Sequence, residues 1–318
     1  LDNTVPSLYD KYAIHKEKEQ SRFSTLQPNF IPTTTMNVSM DIREADDLPD
    51  ILPNFQLFTK LLGFAHRLPS EQHAIRDLST GSSATHLQLL NDALSLRSSV
   101  YKILDHETRS RLSNQDEVFF MLLAPPGYGY TVGLLTILAL GGAVVPISQY
   151  VPLQEALYFA QKSTSRDLIY PPDFLKLAES MRAHVCGAKD SVFTSLDISQ
   201  GLSRKALKAN EIFISSNFSL DLNEAGLVIF TSGTSGPPKA VVLPREIICS
   251  GAKVIADHFE ITHTDVALHC MPVHPIAGIV VCLIPFLLSG ACLEFDRFDV
   301  SECERDGELM DYQSLGAW

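Results

Sequence analysis

Residues 231–239 read Thr231-Ser232-Gly233-Thr234-Ser235-Gly236-Pro237-Pro238-Lys239. The two glycines let a backbone approach an anion closely and turn successive N–H groups toward it. The hydroxyls of Thr231, Ser232, Thr234 and Ser235 add donors, and Lys239 supplies a positive point charge. That chemistry suits the phosphates of a nucleotide, where a charge-assisted hydrogen bond is worth about 1.5–3 kcal/mol. The spacing is not that of a Walker loop, in which a lysine and a hydroxyl follow the second glycine directly. A Ser/Thr/Gly-rich surface turn is the competing explanation. However, two glycines, a proline and a lysine at fixed offsets arise by chance on the order of once in 10⁵ registers at average usage. The apolar runs Leu227-Val228-Ile229-Phe230 and Ala240-Val241-Val242-Leu243 on either side read as two strands that hold the loop between them.

Other chemistry is sparse. His258 and His263, and His269 and His274, are each five apart, and no His-Glu-x-x-His occurs, so no metal ligand is assigned. Gly-x-Ser-x-Gly is absent, and no residue is assigned a catalytic role. His274 lies in Pro272-Val273-His274-Pro275-Ile276-Ala277-Gly278; a lone histidine more often packs than binds. Arg245, just after the second strand, either helps to hold phosphate or caps that strand. Cys270 and Cys282 lie in apolar runs and read as inert packing residues.

The elements that must carry the loop form an α/β pattern. Residues 118–123 are a short apolar run bounded by Ala124-Pro125-Pro126-Gly127, the mark of a fully buried strand and a turn. A helix over about 130–140, a stop at Gly141-Gly142 and a strand over 143–146 come next. The layout recurs over 276–295, with a helix to about Leu288, Gly290 as its stop and a strand at 291–295. Apolar spacing predicts helices from Phe55 to before Pro69 and over 87–104. A third has Ile247, Ile248, Gly251, Val254, Ile255 and Phe259 on one face. Residues 265–271 read as a strand leading into the His274 segment. The charge-free run 276–293 reaches the lower length limit of a transmembrane helix, but Pro285, Ser289 and Gly290 break it. Residues 1–54, with Lys16-Glu17-Lys18-Glu19 and Thr33-Thr34-Thr35, read as a loosely packed, partly disordered extension, and the first thirty residues show no secretory signal.

The 318 residues are 45% hydrophobic, enough for a sizeable core, and the net charge of −12 argues against nucleic-acid or anionic-membrane partners. The six cysteines include no Cys-x-x-Cys and do not form a disulfide framework. They point to an intracellular setting, cytoplasmic by default, with mitochondrion and peroxisome open.

The 231–239 loop resembles the signature of the adenylate-forming (AMP-binding) superfamily, roughly Thr-Ser-Gly-(Ser/Thr)-Thr-Gly-x-Pro-Lys-Gly. It departs only by Ser235 for Thr and by Ala240 for the last glycine. Residues 118–146 are similar to the first α/β unit of acyl-CoA synthetases, and 272–278 to the family's Leu-Pro-Leu-(His/Phe)-His-x-x-Gly motif, in the same order along the chain. The resemblance implies layered α/β sheets of the large N-terminal domain. It covers residues 55–300, leaves 301–318 as a tail outside the family, and lacks the later family segments, so the expectation is a truncated chain. It implies Thr231, Ser232, Gly233, Thr234, Ser235, Gly236 and Lys239 as nucleotide-binding residues, and His274 and Gly278 at the acyl and nucleotide pocket. Pro275 and Ala277 stand where synthetases often carry histidine, as does Arg245. The implied activity is an ATP-dependent carboxylate–CoA ligase acting through an acyl-adenylate, with ATP, Mg²⁺ and CoA, on a short dicarboxylic or fatty acid. An adenylation domain that loads a carrier protein and a catalytically inactive remnant or interaction module are the alternatives.

Overall fold

Near-continuous apolar runs such as Phe-Phe-Met-Leu-Leu and Ala-Val-Val-Pro-Ile, each joined to the next by a helix, dictate parallel strands buried on both faces. The computed structural model describes residues 50–186, 193–201, 207–231 and 236–296. All of these belong to the unit spanning 36–318; a second unit, residues 1–35, lies outside the described residues, as does the tail after 296. The strands are β1 (Ile51–Asn54), β2 (His73–Asp77), β3 (Ser82–Thr85), β4 (Phe119–Leu123), β5 (Ala143–Ile147), β6 (Asp167–Tyr170), β7 (Thr194–Asp197), β8 (Phe213–Ser219), β9 (Ala225–Thr231), β10 (Lys239–Pro244), β11 (Val266–His269) and β12 (Cys292–Phe295). The α-helices are α1 (Gln56–Arg67), α2 (His86–Ile103), α3 (His106–Ser113), α4 (Tyr128–Leu140), α5 (Leu153–Ser163), α6 (Leu175–Cys186), α7 (Ala252–His258) and α8 (Ile284–Ser289).

The larger sheet has the order β10-β9-β5-β4-β6-β7. All its pairs are parallel except β10 with β9. Its two faces alternate residue by residue, as a period of two requires. Phe120, Leu122, Val144, Leu227 and Ile229 join a large cluster with α1, α2, α4 and α8, while Met121, Leu123, Val145, Leu168 and Val228 join a second cluster with α5 and α6. Helices therefore cover both faces. A smaller sheet, β11-β12-β2-β3, is parallel except for β3 and contributes Ile75, Leu293 and Phe295 to the large cluster. Helix α4 touches strands of both sheets, so the helices of the large cluster form a layer between them. The strand β1 pairs with β8 and buries Leu52, so folded structure is present just ahead of Phe55.

Both helix–glycine–strand units are present and feed different sheets. Gly141 (φ 85°) ends α4 before β5, and Gly290 (φ 74°) ends α8 before β12, each in the left-handed conformation that glycine adopts without strain. Helix α2 starts with a reciprocal cap between Thr85 and Gln88.

Three expectations are corrected. The helix expected from 276 to 288 is split into a π-turn, Ala277–Val281, and α8. Pro285 has no N–H to give to the preceding turn, and it sits in the first turn of the new helix instead. The helix after β10 also opens with a π-turn, Ile247–Gly251, whose extra residue per turn rotates α7 relative to a regular helix. The buried face of 247–258 is Ile248, Cys249, Ala252 and Ala256, and Val254 and Phe259 point outward, 59% and 65% exposed. Among the described residues no helix is long and apolar enough to cross a membrane. Cys249, Cys270, Cys282 and Cys292 are free thiols, and Cys270 is exposed rather than packed as the apolar run suggested.

Candidate functional site

In an open, mostly parallel sheet, ligands bind outside the carboxyl ends of the strands. The 231–239 loop leaves the carboxyl end of β9, which runs parallel to β5 and through it to β4. The carboxyl ends of the smaller sheet lie on the same side. A Cβ added at Gly127, in the turn after β4, would come within 2.8 Å of Asp77 Oδ2 at the end of β2. The His274 segment follows the carboxyl end of β11, which is parallel to β12 and β2. Both sequence motifs therefore emerge on one side of the layered sheets.

Thr231 and Lys239 face each other as the last pair of the β9–β10 hairpin, so the loop is the connection of that hairpin. The Thr231 hydroxyl donates to the Lys239 carbonyl at 3.4 Å. Thr231, Gly236 and Lys239 are all exposed, and the space around Gly236 is open. The ammonium of Lys239 makes no ion pair among the described residues. Ser232, Gly233, Thr234 and Ser235 lie outside the described residues.

The hairpin rests on aromatic side chains that sequence reasoning missed. Phe159 of α5 stacks on Phe230 of β9 at 4.0 Å between ring centroids, and Tyr158 meets Phe230 edge-on at 6.4 Å. The Tyr158 hydroxyl donates to the Pro238 carbonyl at 2.8 Å. Leu153, Ala156, Leu157 and Ala160, at helical spacing, are the signal that marks α5 in the sequence.

His274 is partly buried, and burial holds its imidazole below the ordinary value, so it is neutral at neutral pH. Gly278 is buried against backbone: a Cβ there would sit 1.7 Å from the Pro272 carbonyl oxygen. Its own carbonyl accepts a hydrogen bond from Nε2 of His269 at 2.9 Å, a residue the sequence did not single out. His269 is 2% exposed, and among the described residues its Nδ1 has no side-chain or backbone partner within hydrogen-bond distance. The π-turn containing Gly278 packs against the π-turn after β10, which links the two motifs through the core.

Arg245 is resolved in favour of a structural role. It is 4% exposed, and it donates from Nη1 to the Asp221 carbonyl at 3.1 Å and from Nη2 to the Gly141 carbonyl at 2.6 Å. The guanidinium thus closes the carboxyl end of α4. Arg245→Met keeps the apolar stem but leaves two carbonyls unpaired. It is expected to lower stability by about 2 kcal/mol in denaturant unfolding and to leave Mg-ATP affinity unchanged.

A layered α/β body, with a glycine- and hydroxyl-rich hairpin at the carboxyl edge of its parallel sheet, defines the large N-terminal domain of adenylate-forming enzymes. Residues 109–306, more than half of the chain, match the family described as AMP-binding enzyme, and the chain belongs to that family. It is 33% identical over 174 residues to a CoA ligase of Gibberella moniliformis, covering 54% of this chain and 28% of that protein. It is 27% identical over 184 residues to a malonate–CoA ligase of Arabidopsis thaliana, covering 57% of this chain and 29% of that protein. Among solved structures, apo MatB from Rhodopseudomonas palustris superposes with a TM-score of 0.58 at 19% identity, over 78% of this chain and 46% of that one. The matches span less than a third of the length of these curated relatives.

Proposed function

We propose that the protein carries the nucleotide-binding part of an ATP-dependent carboxylate–CoA ligase. In this reaction a carboxylate oxygen bonds to the α-phosphorus of ATP as pyrophosphate leaves, and a thiol then takes the acyl group as AMP leaves. The observation that carries the reading is the loop itself, a family signature mounted on a hairpin at the carboxyl edge of the parallel sheet, with Lys239 exposed at its base. Relatives whose names give CoA and malonate–CoA ligation support the choice of acid and thiol as reactants.

Both reactants are anions, so the site must hold them together and take up charge as it moves onto pyrophosphate. Lys239 supplies a point charge, Thr231, Ser232, Thr234 and Ser235 supply hydroxyl donors, and Gly233 and Gly236 allow the backbone to approach the phosphates. Mg²⁺ would supply neutralisation of phosphate charge. Among the described residues no cluster of acidic, histidine or cysteine ligands stands ready for a metal, and the hydroxyls of Thr231, Ser232, Thr234 and Ser235 would be the loop's oxygen groups nearest a phosphate-bound ion. His274, neutral and partly buried, suits the wall of an acyl and nucleotide pocket better than a charged contact to phosphate, with Gly278 setting the backbone behind it. A reaction that consumes ATP and CoA sets the protein inside the cell.

Lys239→Ala is expected to raise the calorimetric Kd for Mg-ATP about 10- to 100-fold, as loss of a charge-assisted contact implies, with the thermal midpoint unchanged. Unchanged affinity rejects the assignment of the loop. Carboxylate-dependent ATP–pyrophosphate exchange, with malonate and other short dicarboxylates set against fatty and aromatic acids, identifies the acid. Mg-ATP binding without exchange for any acid rejects adenylation by this chain.

A further inference from the structure

The geometry points to Tyr158 as a positioning residue for the nucleotide loop: its hydroxyl fixes the peptide that carries Lys239 and so aims the ammonium at phosphate. The inference rests on the nucleotide-binding reading above and extends it to a residue outside the signature, on a different element. Pro237 and Pro238 have no N–H groups, so this limb of the loop can be held from outside only through its carbonyls, and it is the Pro238 carbonyl that Tyr158 reaches. Among the described residues, the bond from Tyr158 is the one side-chain hydrogen bond to 236–238. The Pro238 carbonyl and the Lys239 nitrogen belong to one planar peptide unit, so a hydrogen bond to the oxygen sets the rotation of the plane that ends at the Lys239 Cα.

Lys239 is the first residue of β10, an edge strand, so beyond its own ladder pair with Thr231 no further pair of that hairpin supports the plane, and the Thr231 hydroxyl reaches the carbonyl of the next peptide unit at 3.4 Å. Lys239, Ala240, Val241 and Val242 are all exposed. Tyr158, by contrast, is well anchored. Its ring packs edge-on against Phe230, which is itself stacked on Phe159, and Lys162 Nζ lies 5.7 Å from the ring centroid. A rigid side chain on the helix thus reaches across to the exposed limb of the hairpin. A tyrosine is suited to this because its ring carries the hydroxyl well beyond the packed surface with few rotatable bonds.

Tyr158→Phe keeps the ring, its stacking and the cation over it, and removes only the donor. The test is a double-mutant cycle read by calorimetric Kd for Mg-ATP on the full 318-residue chain, comparing wild type, Tyr158→Phe, Lys239→Ala and the double variant. Loss of one hydrogen bond acting through the ammonium is expected to raise Kd about three- to tenfold in the wild-type background and to add nothing in the Lys239→Ala background. Thermal unfolding should show Tyr158→Phe within a degree or two of wild type. Tyr158→Leu, which also loses the ring contacts, should melt lower yet show the same dependence on Lys239. If Lys239→Ala weakens binding while Tyr158→Phe binds like wild type, the loop assignment stands and the role of Tyr158 is overturned. An equal loss with and without Lys239 overturns it as well, since it indicates a general structural effect. If Lys239→Ala binds like wild type, the nucleotide reading fails first and this inference falls with it.

Discussion

Gly278→Ala should destabilise the protein by at least about 3 kcal/mol, among the largest effects expected of a single methyl group in this chain. The added carbon would lie 1.7 Å from the Pro272 carbonyl oxygen, far inside contact distance, and the obstacle is backbone rather than the mobile end of a side chain. Relief requires the π-turn to move away from Pro272, and that movement pulls the Gly278 carbonyl off Nε2 of buried His269. The histidine, whose other nitrogen has no partner among the described residues, would then lose the hydrogen bond on Nε2 as well. For a folded body of this size the loss corresponds to a fall in Tm of roughly 6–12 °C. Gly236→Ala is the control. Nothing lies within 4 Å of its added carbon, and its effect on stability should stay within about 0.5 kcal/mol. Equal melting temperatures for the two variants would refute the close approach at Pro272.

The second large effect depends on pH and lies away from the nucleotide loop. Asp167 opens β6, at the amino end of the larger sheet, and is 3% exposed, with Oδ1 unpaired among the described residues. Burial, reinforced by the neighbouring Asp105 carboxylate, pushes its carboxyl from 3.8 to about 7. The folded protein therefore holds this proton up to about pH 7, while the unfolded chain releases it near pH 4. Below pH 4 the group is neutral in both states and has no effect on stability. Between about pH 4 and 7 the unfolded state alone releases the proton, so stability falls as pH rises, and above about 7 the loss is complete. Asp167→Asn keeps the shape of the neutral acid and removes the liability. It should match wild type near pH 4 and exceed it by roughly 2–4 kcal/mol at pH 8, a range set by the size of the shift. Denaturant unfolding at a series of pH values measures the difference directly. A difference that does not change between pH 4 and 8 would rule out Asp167 as the titrating group.

Much of the site's chemistry was readable locally. The strand at Phe119–Leu123 and the strand at Ala143–Ile147 are apolar on both faces, and strands so composed are stable only with helices on both sides. Gly141 and Gly290 mark helix ends because a left-handed residue is needed there. The loop at 231–239 announces phosphate chemistry through residue types alone. Other features were not legible. The short strands Ile51–Asn54, His73–Asp77 and Ser82–Thr85 carry too few apolar residues to show a period, and they exist because a neighbour pairs with them. The face buried by 247–258 was misjudged because a π-turn shifts the phase, and nothing in the residues declares that turn. His274 drew notice through its motif, whereas His269, five residues earlier, is the one bonded in the core.

By itself the sequence determined the elements whose cause is local: burial period, backbone freedom at glycine, the missing N–H of proline, and the donors gathered in one loop. The tertiary structure alone decided that the carboxyl ends of two separate sheets share one side. It also decided that Arg245 spends its guanidinium on Gly141, 104 residues away, and that Tyr158 reaches Pro238 across 80 residues. The physical reason is range. Dihedral limits and side-chain periodicity act over a few neighbouring residues and leave their mark in the chain. Contacts between distant segments form only where whole packed surfaces fit, and no short run of residues records that sum.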